Sequence, residues 1–436
     1  MNTNFPLLES VVFSCKSKNN ISDAKTFLKI AADNCHDLIQ LDRIAYLQSE
    51  IKDYDNCVES LKACLALATD LAAKFAIRAN MAKMYNHLNE PMMSLAYSKM
   101  NKEQQFEYDT LMEMAFSYYL MGDYSQSEHM MRELAAQDTL PDDIRGRVEY
   151  NLGSYDIERG DFKKGLRGFI EVGHRIKIWH ERYIPKIPVW QGENIQGKIL
   201  LIHAEGGIGD ELINVRFVNN IKALGAKPVW ITNNIQLLDV FVRNGIDART
   251  SVNQPDLGNT VQCMAMYLPI LLDLDKSDLW TGPYLKPSEP YIEKWKALLP
   301  AGKKLAVKWS GNPYYDQDLH RSIPLDIINH IHYNGTKVNL QLEPELFQPN
   351  MFNAGEHIKS IEDTLAILWL CDDLITSCTS VAHMCGALGK NGNVCPPIAC
   401  YYVWLGADGY SDWYDRSLRV HRQIVHKNWN FIKAIF

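Results

Sequence analysis

Two short stretches of the chain combine residue types that can bind phosphate and move a proton. The first, KILLIHAEGGIGDELINVRFVNNIKALGA, spans residues 198–226. Its opening apolar run, 198–203, suits a buried parallel strand. Gly206, Gly207 and Gly209 then allow a tight turn and close approach of a ligand to the backbone. Ile213, Phe217, Ile221 and Leu224 fall on one helical face, Gly225 marks the stop, and 228–232 reads as the next strand. The carboxylate of Asp210 lies at the helix mouth. Such turns sit at the carboxyl edge of a parallel sheet, where α/β folds bind ligands. The second stretch runs from a short strand at 374–377 through Cys378, Thr379, Ser380 and His383 into a helix that stops at Gly389. Thr379 or Ser380 is a natural N-cap, and the free N–H groups of such a helix start suit phosphate. Each feature also has a plain structural reading, since a carboxylate such as Asp210 caps its own helix favourably.

These stretches imply two α/β units after a helical region. Residues 1–175 read as helix after helix. Turns at Lys52-Asp53-Tyr54, Leu88-Asn89-Glu90, Gly122-Asp123-Tyr124 and Gly160-Asp161-Phe162 recur near the 34-residue period of tetratricopeptide repeats. Small and large apolar residues, Ala79, Ala82 and Tyr85, then Ala115, Tyr118 and Tyr119, suit paired helices. A generic helical bundle is the alternative. A solenoid offers a concave face to a peptide or protein partner. A proline-bearing connector at 176–197 leads into the first α/β domain, 176–300. The proline-rich stretch 282–304 links it to the second, 301–436. In the second domain, 305–309 reads as a strand ending near Lys308, and 337–342 as another carrying Gln341. The fold class is therefore α plus α/β: an N-terminal tetratricopeptide-like solenoid, then two Rossmann-like domains.

Composition bounds the function. The 436 residues carry a formal net charge of −7, so the chain as a whole is not a polyanion binder. Nucleic acid is not indicated, although a modified base remains open as an acceptor. None of the ten cysteines forms a C-x-x-C pair with metal spacing, so no metal site is expected and free thiols in a reducing compartment fit. No signal peptide and no apolar run of membrane-spanning length is visible. The expected location is cytoplasmic.

The order of motifs resembles a known group. P-x-W-x-G-E at 188–193 and GKILLIHAEGGIGDE are followed by VKWSGNP from Val307, RSIPL from Arg321, TSVAH from Thr379 with GALGK from Gly386, and RVHRQ from Arg419. This series is similar to tetratricopeptide-repeat proteins with a C-terminal glycosyltransferase domain. That domain is related to the heptosyltransferases and, more distantly, to the O-GlcNAc transferases. The resemblance covers roughly residues 155–425 and implies a GT-B architecture, with a nucleotide-diphosphate sugar as donor and no cofactor. It implies Asp210 as catalytic base, with Glu211 as fallback and Glu205 and His203 as farther candidates. It places the donor at Thr379, Ser380 and His383 and on the glycine turn at Gly207 and Gly209. Lys308 and Arg321 are candidate cations for the diphosphate, and Gln341 for the base or ribose. Two departures stand out. Relatives carry Asp immediately before T-S-V-A-H, where this chain has Cys378, and a histidine is common where it has Gln262.

Two readings follow. The first is a metal-independent inverting glycosyltransferase acting on a hydroxyl of a protein, glycan or other acceptor. The second is a repeat-based binding protein whose transferase fold no longer catalyses. A dehydrogenase fits poorly, because Gly206-Gly207-Ile208-Gly209 is not G-x-G-x-x-G.

Overall fold

The computed structural model describes residues 5–17, 20–101, 108–175, 182–253, 257–313, 315–406 and 408–436. The chain forms two compact units. One holds residues 1–138 together with Asn312–His320. The other holds Thr139–Gly311 and Arg321–Phe436. Among the described residues no helix is long and apolar enough to cross a membrane.

The first unit consists of consecutive packed helices, among them Leu38–Glu50, Tyr54–Leu67, Leu71–His87, Pro91–Asn101, Tyr108–Leu120 and Tyr124–Ala135. A common turn explains their regularity. Lys52, Asn89 and Gly122 each adopt a left-handed backbone with φ of 58°, 58° and 81°. The acidic residue that follows each one donates its N–H back over the end of the helix. Asp53 reaches Gln48 O at 2.9 Å, Glu90 reaches Tyr85 O at 2.8 Å, and Asp123 reaches Tyr118 O at 2.9 Å. This is the closing geometry that terminates a helix through a left-handed residue. Small buried side chains, Ala45, Ala82 and Ala115, lie between the paired helices. Ser60 donates to Gln48 Oε1 at 2.7 Å, a bond between two side chains buried there. These are helical repeats, as the turn spacing implies.

The second unit begins with one more such pair, Asp142–Glu158 and Phe162–Arg175, joined through Gly160 at φ 95°. Two parallel sheets follow. The first contains β1 (Ile199–His203), β2 (Lys227–Ile231), β3 (Ala248–Arg249) and β4 (Thr260–Met264) in the order β3-β2-β1-β4. The second contains β5 (Lys304–Lys308), β6 (Thr336–Asn339), β7 (Phe352–Asn353), β8 (Asp373–Ser377), β9 (Gly392–Cys395) and β10 (Leu418–Val420) in the order β10-β9-β8-β5-β6-β7. Central strands buried on both faces explain the unbroken apolar runs ILLIH and KLAVK.

Both sheets reverse their strand order beside the first strand in sequence, at β1 and at β5. Crevices at the carboxyl ends of such strands are where ligands bind in open α/β sheets. The glycine turn leaves β1, and Lys308 ends β5.

The sequence reading differs from the structure in local detail. The expected single helix over 213–224 is broken into Ile208–Asn214, a 3₁₀ turn at Val215–Phe217, and Val218–Ala223. β6 ends at Asn339, so Gln341 lies beyond the strand rather than in it. The proline-rich stretch 282–304 carries a helix, Glu289–Leu298.

Candidate functional site

Asp210 is the third residue of the Ile208–Asn214 helix, and its carboxylate folds back onto the glycine turn. Oδ2 accepts from the Gly207 N–H at 2.7 Å, and Oδ1 accepts from the Tyr401 hydroxyl at 2.7 Å. Burial raises its pKa above the ordinary carboxylate value, while the Tyr401 and Gly207 hydrogen bonds pull the other way. Gly206 has φ +73°, which a side chain adopts only with strain, and a Cβ there would also strike the Asp210 carboxylate. Gly207 supplies the N–H, and Gly209 leaves room for a neighbour. A Cβ on Gly209 would lie 2.8 Å from His383 Cδ2.

That contact joins the two strand-to-helix turns. His383 is carried by the Ser380–Ala387 helix, which packs against the helix of Asp210. Its ring stacks on Trp404 with centroids 4.9 Å apart, and Nδ1 meets the Tyr414 hydroxyl at 2.9 Å. Burial first, and then the positive charge of Arg216, push its pKa down to about 3. The imidazole is therefore neutral at physiological pH and can hold one donor and one acceptor in place. Gly386 is required by the same aromatic group, because a Cβ there would strike the Tyr414 ring.

Arg216 is the unexpected member. Its guanidinium is buried and lies over Tyr414 at 4.5 Å and Tyr284 at 4.9 Å. It donates to the carbonyls of Ile213, Leu279 and Trp413. A cation held by aromatic faces and carbonyls ties three distant stretches of chain together and contributes its charge to the site.

The start of the Ser380–Ala387 helix is polar on several sides. Thr379 is its N-cap, and the Thr379 hydroxyl bonds to the Thr376 hydroxyl at 3.1 Å instead of capping the backbone. Arg321 Nη1 donates to Cys378 O at 2.8 Å, which places a cation at the helix start beside Ser380. Lys308 is paired across the ladder with Thr376, one strand over. Gln341 lies past the end of β6, two strands over, and its Nε2 donates to Ser310. Ser377 Oγ and Gln341 Oε1 are buried without a hydrogen-bond partner among the described residues. Buried polar atoms rarely stay unpaired unless a ligand or water completes them.

The structure thus brings Asp210, Gly207, Gly209 and His383 into one connected group. It gathers Arg321, Thr379 and Ser380 at the adjoining helix start. The charges of Arg321 and Asp210 act in opposite directions on the Cys378 thiol, whose pKa burial raises. Lys308 and Gln341 lie further along the same sheet edge. Cys378 takes the Trp404 indole N–H at 3.1 Å.

Three other acid–base candidates have structural duties. Glu211 is fully buried and accepts from Trp230, Thr232, the N–H groups of Asn233 and Asn234, and the Asn234 amide, all at 2.7–2.9 Å. Its lone pairs are committed to the loop after β2. Glu205 accepts the N–H groups of Ala265 and Met266 at 3.1 Å, and burial pushes its pKa up to about 8. His203 is bonded to Gln262 Oε1 at 3.0 Å, and Gln262 also donates to the carbonyls of Ile184 and Ile187. Gln262 therefore holds the connector against the sheet. Tyr401, Trp404 and Arg216 escape a sequence reading because nothing local marks them.

No family model matches the chain, and no curated protein matches it. Solved structures resemble it weakly. MamA from Desulfovibrio magneticus is 15% identical, with 41% of this chain and 97% of that one covered at a TM-score of 0.30. The type IV pilus biogenesis factor PilW is 14% identical, covering 52% and 90% at 0.31. A point mutant of the O-GlcNAc transferase of Thermobaculum terrenum is 12% identical, covering 92% and 85% at 0.30. At these scores the similarities carry no argument, and the account rests on the chain's own geometry.

Proposed function

We propose that the chain is an inverting glycosyltransferase that moves a sugar from a nucleotide-diphosphate donor to an acceptor hydroxyl. The observation that carries this reading is the contact of Gly209 with His383. It sets the Asp210 carboxylate beside a helix start equipped with Arg321, Thr379 and Ser380. In the proposed step the acceptor oxygen attacks the anomeric carbon as the bond to the diphosphate breaks. Asp210 takes the acceptor proton. Its raised pKa makes it a stronger base than an ordinary aspartate, provided it is ionised. The departing diphosphate gains negative charge where helix N–H groups, Arg321 and Lys308 supply positive potential. Gln341 Oε1 and Ser377 Oγ are unsatisfied groups that a donor can complete. Protein cations suffice for this stabilisation, so the proposed mechanism is metal-independent.

The second reading, a binding protein without turnover, is favoured by one observation. Cys378 offers a thiol occupied by Trp404 where relatives place a carboxylate. A thermal-shift screen across nucleoside diphosphates and their sugars tests donor binding, because a ligand of the folded state raises the melting temperature by mass action. The proposal expects a concentration-dependent rise with at least one nucleoside diphosphate, followed by sugar transfer or donor hydrolysis. A rise without turnover across a broad acceptor panel supports the binding reading. No rise with any nucleotide overturns the transferase reading.

A further inference from the structure

The segment Asn312–His320 clusters with the helical repeats, although Gly311 and Arg321 on either side of it cluster with the sheets. Within the repeat unit the segment is gripped at two points. Asp316 takes Lys52 Nζ at 2.6 Å and the Tyr54 hydroxyl at 3.2 Å. Tyr54 in turn stacks on His87, with centroids 4.6 Å apart and planes within 8°. Burial opposes the Asp316 charge, but Lys52, His87 and Tyr54 outweigh it and hold the carboxyl below its ordinary range. The second grip is His320. Its ring is 3% exposed, its Nε2 donates to Asn86 O at 2.7 Å, and it stacks on Phe116 at 6.0 Å.

The groups that hold the segment come from successive repeats. Lys52 is the left-handed residue of the first turn and Tyr54 opens the helix after it, Asn86 and His87 end the helix before the second, and Phe116 lies on the next repeat. The cradle is braced independently of its occupant. The Asn86 amide donates to Glu113 O at 3.0 Å and accepts from Ser117 at 2.9 Å. Between the two grips Leu319 is 59% exposed, and Tyr315 before them is 47% exposed. Two recognition elements among the described residues are a carboxylate and an imidazole four residues later, met by a cation with a phenol and by a carbonyl with an aromatic face.

We infer that the helical repeats form a peptide receptor filled by the chain's own Asn312–His320 segment. The partner it fits is a protein segment carrying aspartate and histidine at that spacing, which binds by displacing the internal one. The internal segment has the advantage of high effective concentration, so a partner competes only when it is abundant or makes added contacts.

The test uses the 436-residue chain and a fluorescent peptide with the sequence of residues 311–321, GNPYYDQDLHR. Three proteins are compared: the wild type, a strap variant carrying Asp316→Ala and His320→Ala, and the strap variant with Lys52→Met added. The inference expects the strap variant to bind the peptide about ten-fold or more tightly than the wild type. It expects Lys52→Met to reverse most of that gain, since a charge-assisted hydrogen bond is lost. Equal binding by wild type and strap variant, no binding by the strap variant, or indifference to Lys52→Met each overturns it. A measurement on the wild type alone guards against a variant that does not fold. Excess unlabelled peptide should speed hydrogen exchange at residues 315–320, and unchanged exchange at saturating peptide contradicts the inference.

Discussion

The Tyr401 hydroxyl donates to Asp210 Oδ1 at 2.7 Å, across 191 residues of sequence. A tyrosine from the far end of the chain therefore orients the carboxylate proposed as catalytic base and favours its charged form. Tyr401→Phe removes that donor and leaves the ring. The Asp210 pKa should then rise further, because the bond stabilises the ionised state more than the neutral one. A base must be ionised to act, so the acidic limb of the pH–rate profile should move to higher pH. Rates measured from acid to neutral pH check this. A limb that stays in place separates Tyr401 from the ionisation of Asp210.

Gly209→Ala should destabilise the protein by about 1–3 kcal/mol, the usual range for overpacking a tight contact. The His383 ring cannot yield easily, being stacked on Trp404 and bonded to Tyr414. Urea unfolding measures the loss. Combining Gly209→Ala with His383→Ala should show a coupling that relieves the clash, whereas simple additivity rejects it.

Arg321→Ala should weaken nucleoside-diphosphate binding by about 1.5–3 kcal/mol, the contribution of a hydrogen bond to a charged group. Isothermal titration reads this directly. An unchanged dissociation constant removes Arg321 from the donor site.

Glu211→Ala removes the buried acceptor shared by five donors of β2 and the loop after it. The expected loss is about 3 kcal/mol of folding stability, from stranded polar groups. Chemical denaturation distinguishes this from a catalytic role. A Glu211→Ala protein of wild-type stability but lost turnover contradicts the structural assignment.

Local features were the legible ones. The left-handed turn residues at Lys52, Asn89, Gly122 and Gly160 each precede an acidic residue, and chain chemistry alone marks them. The glycine turn after β1 and the hydroxyl-rich start of the Ser380–Ala387 helix were visible for the same reason, since backbone geometry restricts which residues fit. The contacts that complete the site were not visible. Tyr401 and Asp210, or Arg216 and the Trp413 carbonyl, meet only through the packing of distant segments. The helix break at Val215–Phe217 was hidden because its apolar spacing continues smoothly through it. Glu211 looked like a reserve base because its five partners come from another strand and loop.

The most direct test of the central claim is single-turnover transfer, or donor hydrolysis, by Asp210→Asn beside the wild type, with nucleotide affinity measured on both. Asparagine keeps the size of the side chain; its one oxygen can accept from the Gly207 N–H while its amide donates to the Tyr401 hydroxyl, which can turn to accept, so the fold should survive. Donor affinity should be retained, because the proposed phosphate contacts lie on the Ser380–Ala387 helix and Arg321. The account predicts a fall in rate of about 10²–10⁴-fold, the contribution of a positioned general base. A wild-type rate in Asp210→Asn contradicts it.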